Sequence, residues 1–247
     1  MLTPHVASDH GPRRFETTHW SIVQAAAGDD TTAAQSALAA LCQTYWWPLY
    51  WFARRRGASV EDAQDLTQGF LTRLIDKHDV RQARPERGRF RTFLLAAFTH
   101  YSLNAAQHDR AQKRGGGHAL LSLEFETAEG RYQLEPRDDR TPEAIFDRRW
   151  AITVLDGAMQ QLRREEADAR RGVEFDLIKS SLTGHSPPGG YEEWARRLGS
   201  TEGAVKVAVH RLRKRFQRVL RDAIAETVST EAEIEDELKY LMSALRR

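Results

Sequence analysis

The segment whose residues most clearly point to chemistry runs from Gly190 to Asp222 and contains two helical patterns separated by a tight turn. Gly199 can adopt the left-handed backbone that ends a helix, and Ser200 or Thr201 can cap the N–H groups that begin the next one. The second pattern has an apolar stripe at helical spacing, formed by Val205, Val209, Leu212, Phe216, Val219 and Leu220. Its other faces are strongly basic and carry Lys206, His210, Arg211, Arg213, Lys214, Arg215, Arg218 and Arg221. One face is therefore suited to packing, and the others to meeting negative charge.

A helix-turn-helix of this kind places its second helix in the DNA major groove, with its first residues against base edges and its basic flanks against phosphates. The alternative is an ordinary solvated helix, because basic amphipathic helices and short look-alikes of this motif are common in helical proteins. The segment favours DNA binding, and the rest of the chain is needed to decide.

The overall composition is that of an ordinary folded protein, with 40% hydrophobic and 29% charged residues and a formal net charge of +2 over 247 residues. The charges are nevertheless segregated along the chain. Basic residues concentrate at 54–56, 81–91, 110–114 and 206–221, and acidic residues at 124–135 and 231–237. This segregation indicates a nucleic-acid partner for some surfaces and a different role for others.

The remaining composition excludes several classes of protein. A single cysteine, Cys42, excludes an internal disulfide and a cysteine-rich zinc module, and its apolar surroundings predict a core position. No apolar signal segment and no bilayer-length stretch occur, which predicts a cytoplasmic protein without a membrane partner. An enzyme is disfavoured, because no histidine pair has metal-ligand spacing, no phosphate-binding glycine loop follows a strand, and no nucleophile motif occurs. We expect no catalytic residue, no metal and no cofactor.

The helical periodicity predicts an all-α fold of two helical domains joined by a flexible acidic linker, the second domain being the helix-turn-helix. We expect a disordered tail over 1–16, a first domain over 17–114, a linker over 115–140, a second domain over 141–227 and a helical extension over 228–247. The linker begins with three glycines and stops before Thr141-Pro142-Glu143, which has the features of a helix start. Within the first domain, Pro48 predicts a kink or an interruption of its helix.

The helix predicted after Ser59 has a polar face opposite Leu66 and Phe70. Its segment Asp62-Ala-Gln-Asp-Leu-Thr-Gln-Gly-Phe70 resembles the D-A-x-D-L-x-Q signature of region two in bacterial RNA polymerase sigma factors of the extracytoplasmic-function (ECF) type. In that family the helix docks on the clamp helices of the polymerase's largest subunit. The resemblance implies polymerase contacts from four outward residues, namely Asp62, Asp65, Gln68 and Thr72. Solvated helix residues are the alternative, and Gly69 departs from the glutamate that is frequent in the family.

The segment from Gly88 to Arg114 resembles the second part of region two, which in the family recognises the downstream promoter element, traps a flipped base and holds the non-template strand open. Single-stranded DNA needs cations along its backbone and pockets or planar groups for its bases. The resemblance implies such contacts from Arg84, Arg87, Arg89 and Arg91 in and after the loop, and from Asn104, Gln107, His108, Arg110, Lys113 and Arg114 towards the end. We expect Phe90, Phe93 and Phe98 in the core, and Tyr101 is left open.

The helix-turn-helix itself resembles region four of the same family, which reads the upstream promoter element as duplex DNA. The resemblance implies groove and phosphate contacts from Ser200, Thr201, Glu202, Lys206, His210, Arg211, Arg213 and Lys214. Trp194 departs from the smaller aliphatic residue that is usual there, which predicts altered packing of the first helix. The acidic linker is similar to the family's connector, a nucleic-acid mimic that passes through a positively charged polymerase channel. A plain flexible linker is the alternative.

These resemblances extend from about Thr17 to Ala225 and imply a sigma factor that binds core RNA polymerase and promoter DNA, with an anti-sigma factor or another regulator as a further partner. Four segments look closest to ECF-like factors of the planctomycete type: Tyr45-Trp-Trp-Pro-Leu49, Gly88-Arg-Phe-Arg91, Lys113-Arg-Gly-Gly116 and Leu238-Lys-Tyr-Leu241. The competing function is a helix-turn-helix transcription regulator that binds DNA without polymerase. The last segment, 229–247, lies outside the common pattern. Its apolar stripe predicts a helix that covers an apolar patch or acts as a docking or inhibitory element.

Overall fold

The structure is a computed structural model that describes residues 21–28, 31–76, 83, 89–109, 129, 132, 139–184, 189–228 and 230–246. Among these residues the long regular elements are all helices, which confirms the predicted all-α class for this part of the chain. In chain order they are α1 (Ser21–Ala27), α2 (Thr31–Arg55), α3 (Val60–Asp76), α4 (Phe90–Asp109), α5 (Pro142–Asp168), α6 (Gly172–Ile178), a 3₁₀ turn (Lys179–Thr183), α7 (Gly190–Leu198), α8 (Glu202–Ala225) and α9 (Glu231–Arg246). The predicted tail over 1–16 and most of the predicted linker lie outside the described residues.

Helix α2 continues through Pro48, so the predicted interruption is absent. A proline in a helix interior removes a hydrogen bond and costs about 3 kcal/mol or more. The neighbouring aromatic side chains of Tyr45, Trp47, Trp51 and Phe52 are all buried, with 9% exposure or less. Because burying one large apolar side chain stabilises a fold by about 1.5–3 kcal/mol, this cluster outweighs the cost of the proline.

Two hydrophobic clusters organise the described helices. The larger cluster joins α1–α4 to the first half of α5, the end of α8 and α9. The smaller cluster joins the second half of α5 to α6, α7 and the start of α8. Trp150 belongs to the larger cluster and Leu162, further along α5, to the smaller one. Helices α5 and α8 thus extend across both clusters and connect them.

The predicted division into two domains at residues 115–140 is not confirmed by this packing. Phe146 of α5 lies against Phe52 of α2, with ring centroids 6.5 Å apart. On the other side of α5, Arg148 Nη1 donates a hydrogen bond to the carbonyl oxygen of Leu245 in α9 at 2.8 Å. The larger core therefore contains residues from both predicted domains and from the predicted extension.

The two described residues in the middle of the predicted linker lie against α2. Glu129 is 8% exposed and accepts hydrogen bonds from Arg54 Nε and Nη2, both at 3.1 Å, and from the Tyr50 hydroxyl. Burial and the hydrogen bond with Glu129 raise the pKa of the Tyr50 hydroxyl well above its usual range. Tyr132 packs against Trp51 with ring centroids 4.7 Å apart. One acidic residue of the linker is therefore held on the larger core.

Candidate nucleic-acid and polymerase interface

Helices α7 and α8 meet at a tight turn whose residues take the conformations that their types favour. Helix α7 ends at Gly199, whose φ of 58° lies in the left-handed region. The N–H of Ser200 donates a hydrogen bond to the carbonyl oxygen of Ala195 at 2.9 Å, which closes the helix end. The Thr201 hydroxyl oxygen then accepts a hydrogen bond from the N–H of Ala204 at 3.2 Å and caps α8. Local capping chemistry thus accounts for the conformation of the turn.

Trp194 anchors α7 within the smaller cluster. It is 3% exposed and contacts Tyr191 edge to face, with ring centroids 5.7 Å apart. The same cluster contains Val205 and Val209 from the buried stripe of α8. The large aromatic residue therefore fills the space between the two helices, and the opposite face of α8 remains in solvent.

The residues predicted to contact upstream DNA are all exposed. They are Ser200, Thr201, Glu202, Lys206, His210, Arg211, Arg213 and Lys214. Two of the cations already have partners, since Lys206 pairs with Glu202 at 2.7 Å and Arg213 Nη2 donates to the Ser181 carbonyl oxygen at 3.1 Å. The other three, His210, Arg211 and Lys214, have no ion pair within the described part of the chain and remain available to a ligand.

The basic residues of α8 from Arg215 onwards pair with carboxylates of the protein itself. The sequence pattern predicted that these residues meet negative charge. In the structure that negative charge comes from carboxylates of the same chain. Three arginines form such ion pairs: Arg215 with Glu166, Arg218 with Glu165, and Arg221 with Glu231 and Glu235. The exposed cations of α8 that have no ion pair among the described residues, Arg211 and Lys214, therefore lie before Arg215, on the side of the helix nearer the turn.

Helix α3 presents the residues predicted to contact polymerase. Its first turn is capped by Ser59, whose hydroxyl oxygen accepts a hydrogen bond from the N–H of Asp62 at 3.0 Å. Asp62 and Asp65 are exposed, and Gln68 and Thr72 are half-buried. The opposite face of the helix is buried in the larger cluster. All four side chains are therefore on the accessible side of α3.

A groove of about 650 Å³ lies beside the two aspartates, between α2, α3 and α4. Its lining includes Asp62, Asp65, the buried rings of Phe52 and Phe98, and Leu103, which is 50% exposed. Arg56 also lines the groove, so its wall is of mixed polarity, with two carboxylates and one guanidinium group beside the apolar side chains. Such a groove suits a partner segment that carries both apolar and charged side chains.

The departure from the family pattern at Gly69 has a structural cause. A Cβ atom at this position would lie 2.4 Å from the hydroxyl oxygen of Tyr101 on α4, a distance that van der Waals contact does not allow. The ring of Tyr101 packs against Phe70 with centroids 5.7 Å apart. The missing side chain therefore lets an aromatic residue of α4 lie across α3, and Tyr101, which the sequence left open, packs at this contact.

A second cleft, of about 350 Å³, lies between α3 and α4. Its lining includes Phe93, Tyr101, Arg73, His100 and Asn104, the last three being exposed. Asn104 was predicted from the sequence, whereas His100 and Arg73 were not. His100 lies four residues before Asn104 and hence on the same face of α4, a signal that could have revealed it. The cleft offers an amide, an imidazole and aromatic surface side by side.

Several predicted DNA-contact residues cannot be placed. Arg84, Arg87, Arg110, Lys113 and Arg114 lie outside the described residues. Gln107 and His108 belong to α4, but their side chains are not described. These assignments remain predictions.

Arg89 and Arg91, which were predicted to contact DNA, pair with carboxylates of the protein in this arrangement. Arg91 is 7% exposed, and it donates from Nε to Glu237 Oε1 at 2.6 Å and from Nη1 to Asp147 Oδ1 at 2.9 Å. Its guanidinium carbon lies 3.9 Å from the ring centroid of Tyr240. Arg89 Nε pairs with the same Glu237 at 2.8 Å. In this arrangement the charge of Arg91 is neutralised inside the protein, and its assignment as a DNA contact stays a prediction.

These five residues, Arg89, Arg91, Asp147, Glu237 and Tyr240, form what we call the junction network. It joins the start of α4 to α5 and α9. Burial raises the pKa of the Asp147 carboxyl group, although the hydrogen bond from Tyr240 and the charge of Arg91 act in the opposite direction. Burial and the hydrogen bond to Asp147 raise the pKa of the Tyr240 hydroxyl. The network is therefore a partly dehydrated set of charges whose members depend on one another.

The described residues include no group of histidine, cysteine or acidic side chains that could hold a metal ion. Within the same residues, no helix has both the length and the apolar character needed to cross a membrane. Cys42 is buried, as its apolar surroundings predicted, and burial raises the pKa of its thiol to about 12. It is therefore a core residue rather than a reactive one.

The described helices thus present an exposed basic face after a tight turn and, separately, a groove bordered by two carboxylates. Comparison with protein families is more specific: the family model described as ECF sigma factor matches residues 19–222. The chain belongs to the ECF sigma factor family, a family of transcription initiation factors that bind DNA and RNA polymerase. No curated protein and no solved structure matches the chain.

Proposed function

We propose that the chain binds core RNA polymerase and directs it to a specific set of promoters, where it helps to melt the DNA. One observation carries this proposal: the family match over 19–222 includes both the acidic groove beside α3 and the free basic face of α8. The two surfaces then serve one function, with the first docking on polymerase and the second reading DNA.

The polymerase-docking surface is the groove with Asp62 and Asp65 on its wall and Gln68 and Thr72 further along α3. Its apolar lining supplies contact area, and the carboxylates select a basic partner. Charged residues at the edge of an interface mainly set the association rate and the orientation of the partner. We therefore expect these carboxylates to matter most at low salt.

The duplex-reading surface is the start of α8. There the turn residues and Glu202 would lie nearest the groove of the bound DNA. Arg211 and Lys214 are the cations available for phosphates. A bidentate contact to a base contributes about 1–3 kcal/mol of discrimination, whereas phosphate contacts supply affinity that falls with salt. The packing of α8 determines which of its faces is available to DNA. Val205 and Val209 are buried in the smaller cluster, so the exposed basic face points away from that cluster.

The melted strand would follow the cleft between α3 and α4. Asn104 can donate to and accept from a base edge, and aromatic contacts contribute about 1–3 kcal/mol per stacked base. Arg73 supplies positive charge at the edge of the cleft. The acidic linker would leave α2 and enter the positively charged channel of polymerase.

We also propose membership of the planctomycete-type group, a cytoplasmic location with the chromosome, and regulation by an anti-sigma factor or a similar partner. The competing function remains a polymerase-independent helix-turn-helix regulator. The acidic groove beside α3 favours the sigma factor, because a free-standing DNA-binding protein has no need of it.

The test is run-off transcription with purified bacterial core polymerase, with and without the chain, on a pool of promoters from its own genome. We expect new promoter-specific transcripts. Asp65→Ala with Gln68→Ala should weaken core binding, whereas Asp168→Ala, at an exposed aspartate that ends α5, is the matched control. Promoter binding by the chain alone, without polymerase association or initiation, would instead establish the free-standing regulator.

A further inference from the structure

Helix α9 lies beyond the part of the chain that matches the family, which ends at residue 222. It is nevertheless built into the larger core, because Ile234 is 2% exposed and Leu241 is fully buried. Its first turn is closed by a reciprocal cap, in which Thr230 N–H donates to Glu233 and Glu233 N–H donates to Thr230, each at 3.2 Å. The extension is thus a well-defined helix with a specific docking position.

The polar centre of its docked face is Glu237, which is 1% exposed. The carboxylate accepts two hydrogen bonds from Arg91, at 2.6 and 3.3 Å, and pairs with Arg89 at 2.8 Å. A carboxylate held by two arginines is a ligand of the same kind as a DNA phosphate, since both anions bind guanidinium groups through paired hydrogen bonds.

The two arginines lie at the start of α4, in the segment whose family resemblance implies contact with melted DNA. Both are bound instead by Glu237 of α9, which is 146 residues from Arg91 along the chain. Asp147 and Tyr240 complete the enclosure of Arg91 from α5 and α9. While α9 is docked, the Nε and Nη1 groups of Arg91 are engaged by Glu237 and Asp147, so a phosphate cannot bind these N–H groups until Glu237 leaves. Arg89 is partly exposed and has further N–H groups, so α9 competes for it only at Nε.

We propose that α9 is an autoinhibitory helix: Glu237 competes with the phosphates of melted promoter DNA for Arg89 and Arg91, and initiation requires α9 to leave the junction network. This inference rests on the proposed sigma-factor function. By thermodynamic linkage, DNA weakens α9 docking by the same factor by which α9 docking weakens DNA binding.

The first test compares three full-length chains: the wild type, Glu237→Gln, and Asp236→Asn. Both substitutions remove one negative charge from α9, but Asp236 is exposed and its ion pair is with Lys239 of the same helix. The measured quantity is the affinity for a short fluorescent single-stranded DNA, followed by anisotropy without polymerase. We expect Glu237→Gln to bind roughly 5- to 150-fold more tightly, the usual range of allosteric coupling, and Asp236→Asn to bind like the wild type.

The proposal requires that the gain in DNA affinity comes from the arginines released by Glu237→Gln. Adding Arg91→Ala to Glu237→Gln should therefore abolish most of the increase in affinity. A folded Glu237→Gln chain that binds the DNA with wild-type affinity, or a gain that survives Arg91→Ala, would overturn the proposal.

A second measurement uses the wild-type chain and is independent of any folding defect in the variants. Hydrogen exchange is followed over residues 231–246 while the single-stranded DNA and core polymerase are added. We expect protection in α9 to fall as DNA binds, whereas unchanged protection in a saturated complex would contradict autoinhibition. Failure of the sigma function would look different: no chain, including Glu237→Gln, would bind core polymerase or give a promoter-specific transcript.

Discussion

The two basic regions of this chain that resemble promoter-binding segments differ in what surrounds their charges. Near the middle of α8, Arg211 and Lys214 are exposed and have no ion pair within the described residues. At the start of α4, Arg91 is enclosed by Glu237 and Asp147. Both regions look equally basic in the sequence. The difference teaches that the positions of the carboxylates decide which cations remain available to DNA.

The exposed cations of α8 and the buried Arg91 also differ in what they contribute energetically. An exposed cation is hydrated and contributes little to the stability of the fold. A buried arginine has lost its hydration, and its partners compensate for that loss only while they remain in place. Removing an exposed cation should therefore affect binding, and removing a buried one should affect folding.

The largest expected effect is on stability. Replacing Arg91 with alanine leaves Glu237 and Asp147 without their common partner, and breaking a buried ion pair costs about 3–5 kcal/mol. Arg211→Ala removes the same charge from the surface and should change the free energy of unfolding by no more than about 0.5 kcal/mol. Urea unfolding followed by circular dichroism measures both. Equal stabilities would show that the junction network is solvated and would remove the contrast between the two regions.

The next effect is on DNA affinity. Replacing Arg211 and Lys214 with alanine should weaken duplex binding for every sequence and lower the slope of log affinity against log salt by about 1 per lost phosphate contact. Arg218→Ala is the matched control on the same helix, because Arg218 already pairs with Glu165 at 2.7 Å. A salt titration of duplex binding distinguishes the two variants. If Arg218→Ala lowered the slope as much, pairing with a carboxylate of the protein would not determine whether a cation is available to DNA.

The cap of α8 should have a smaller effect. Thr201→Ala removes the hydroxyl that accepts from the Ala204 N–H, and loss of an N-cap typically costs about 1 kcal/mol. Thr201→Ser keeps the hydroxyl and serves as the control. Thermal unfolding should show a lower midpoint for the alanine variant alone. A loss of DNA binding without a loss of stability would mean that Thr201 acts on DNA and not on the helix.

The sequence predicted what depends on neighbouring residues and missed what depends on distant ones. The helix start at Thr141-Pro142 and the turn at Gly199 follow from local capping chemistry, and both occur as predicted. The uninterrupted helix at Pro48 depends on aromatic packing that a local pattern does not contain. The fate of Arg91 depends on Asp147 and Glu237, which are 56 and 146 residues away.

The candidate site shows the same limit. Asp62 and Asp65 were found because the motif and the helical period agree, and they are accessible as expected. His100 was missed because no motif marks it, and only the cleft between α3 and α4 brings it next to Asn104. A family resemblance thus supplies the residues that relatives share, whereas the ion pairs of α9 and the cleft require the fold.

The smallest effect tests the contact between α3 and α4, close to the groove. Alanine in a helix interior is about 1 kcal/mol more favourable than glycine, yet a Cβ at Gly69 would lie 2.4 Å from the Tyr101 hydroxyl oxygen. In a Tyr101→Phe chain the hydroxyl is gone, and the nearest ring atom would lie an ordinary 3.5 Å from the new Cβ. Gly69→Ala should therefore stabilise that chain. In the wild-type chain the same substitution should stabilise less, or destabilise.

Gly157→Ala is the control, because Gly157 lies within α5 with nothing within 4 Å of its Cβ position. Its gain should be the same in the wild-type chain and in the Tyr101→Phe chain, and the four-chain thermodynamic cycle isolates the coupling at Gly69. If Gly69→Ala proved equally favourable in both backgrounds, Tyr101 would be free to move aside. The glycine would then need another explanation, namely close approach of the polymerase partner to α3 beside the acidic groove.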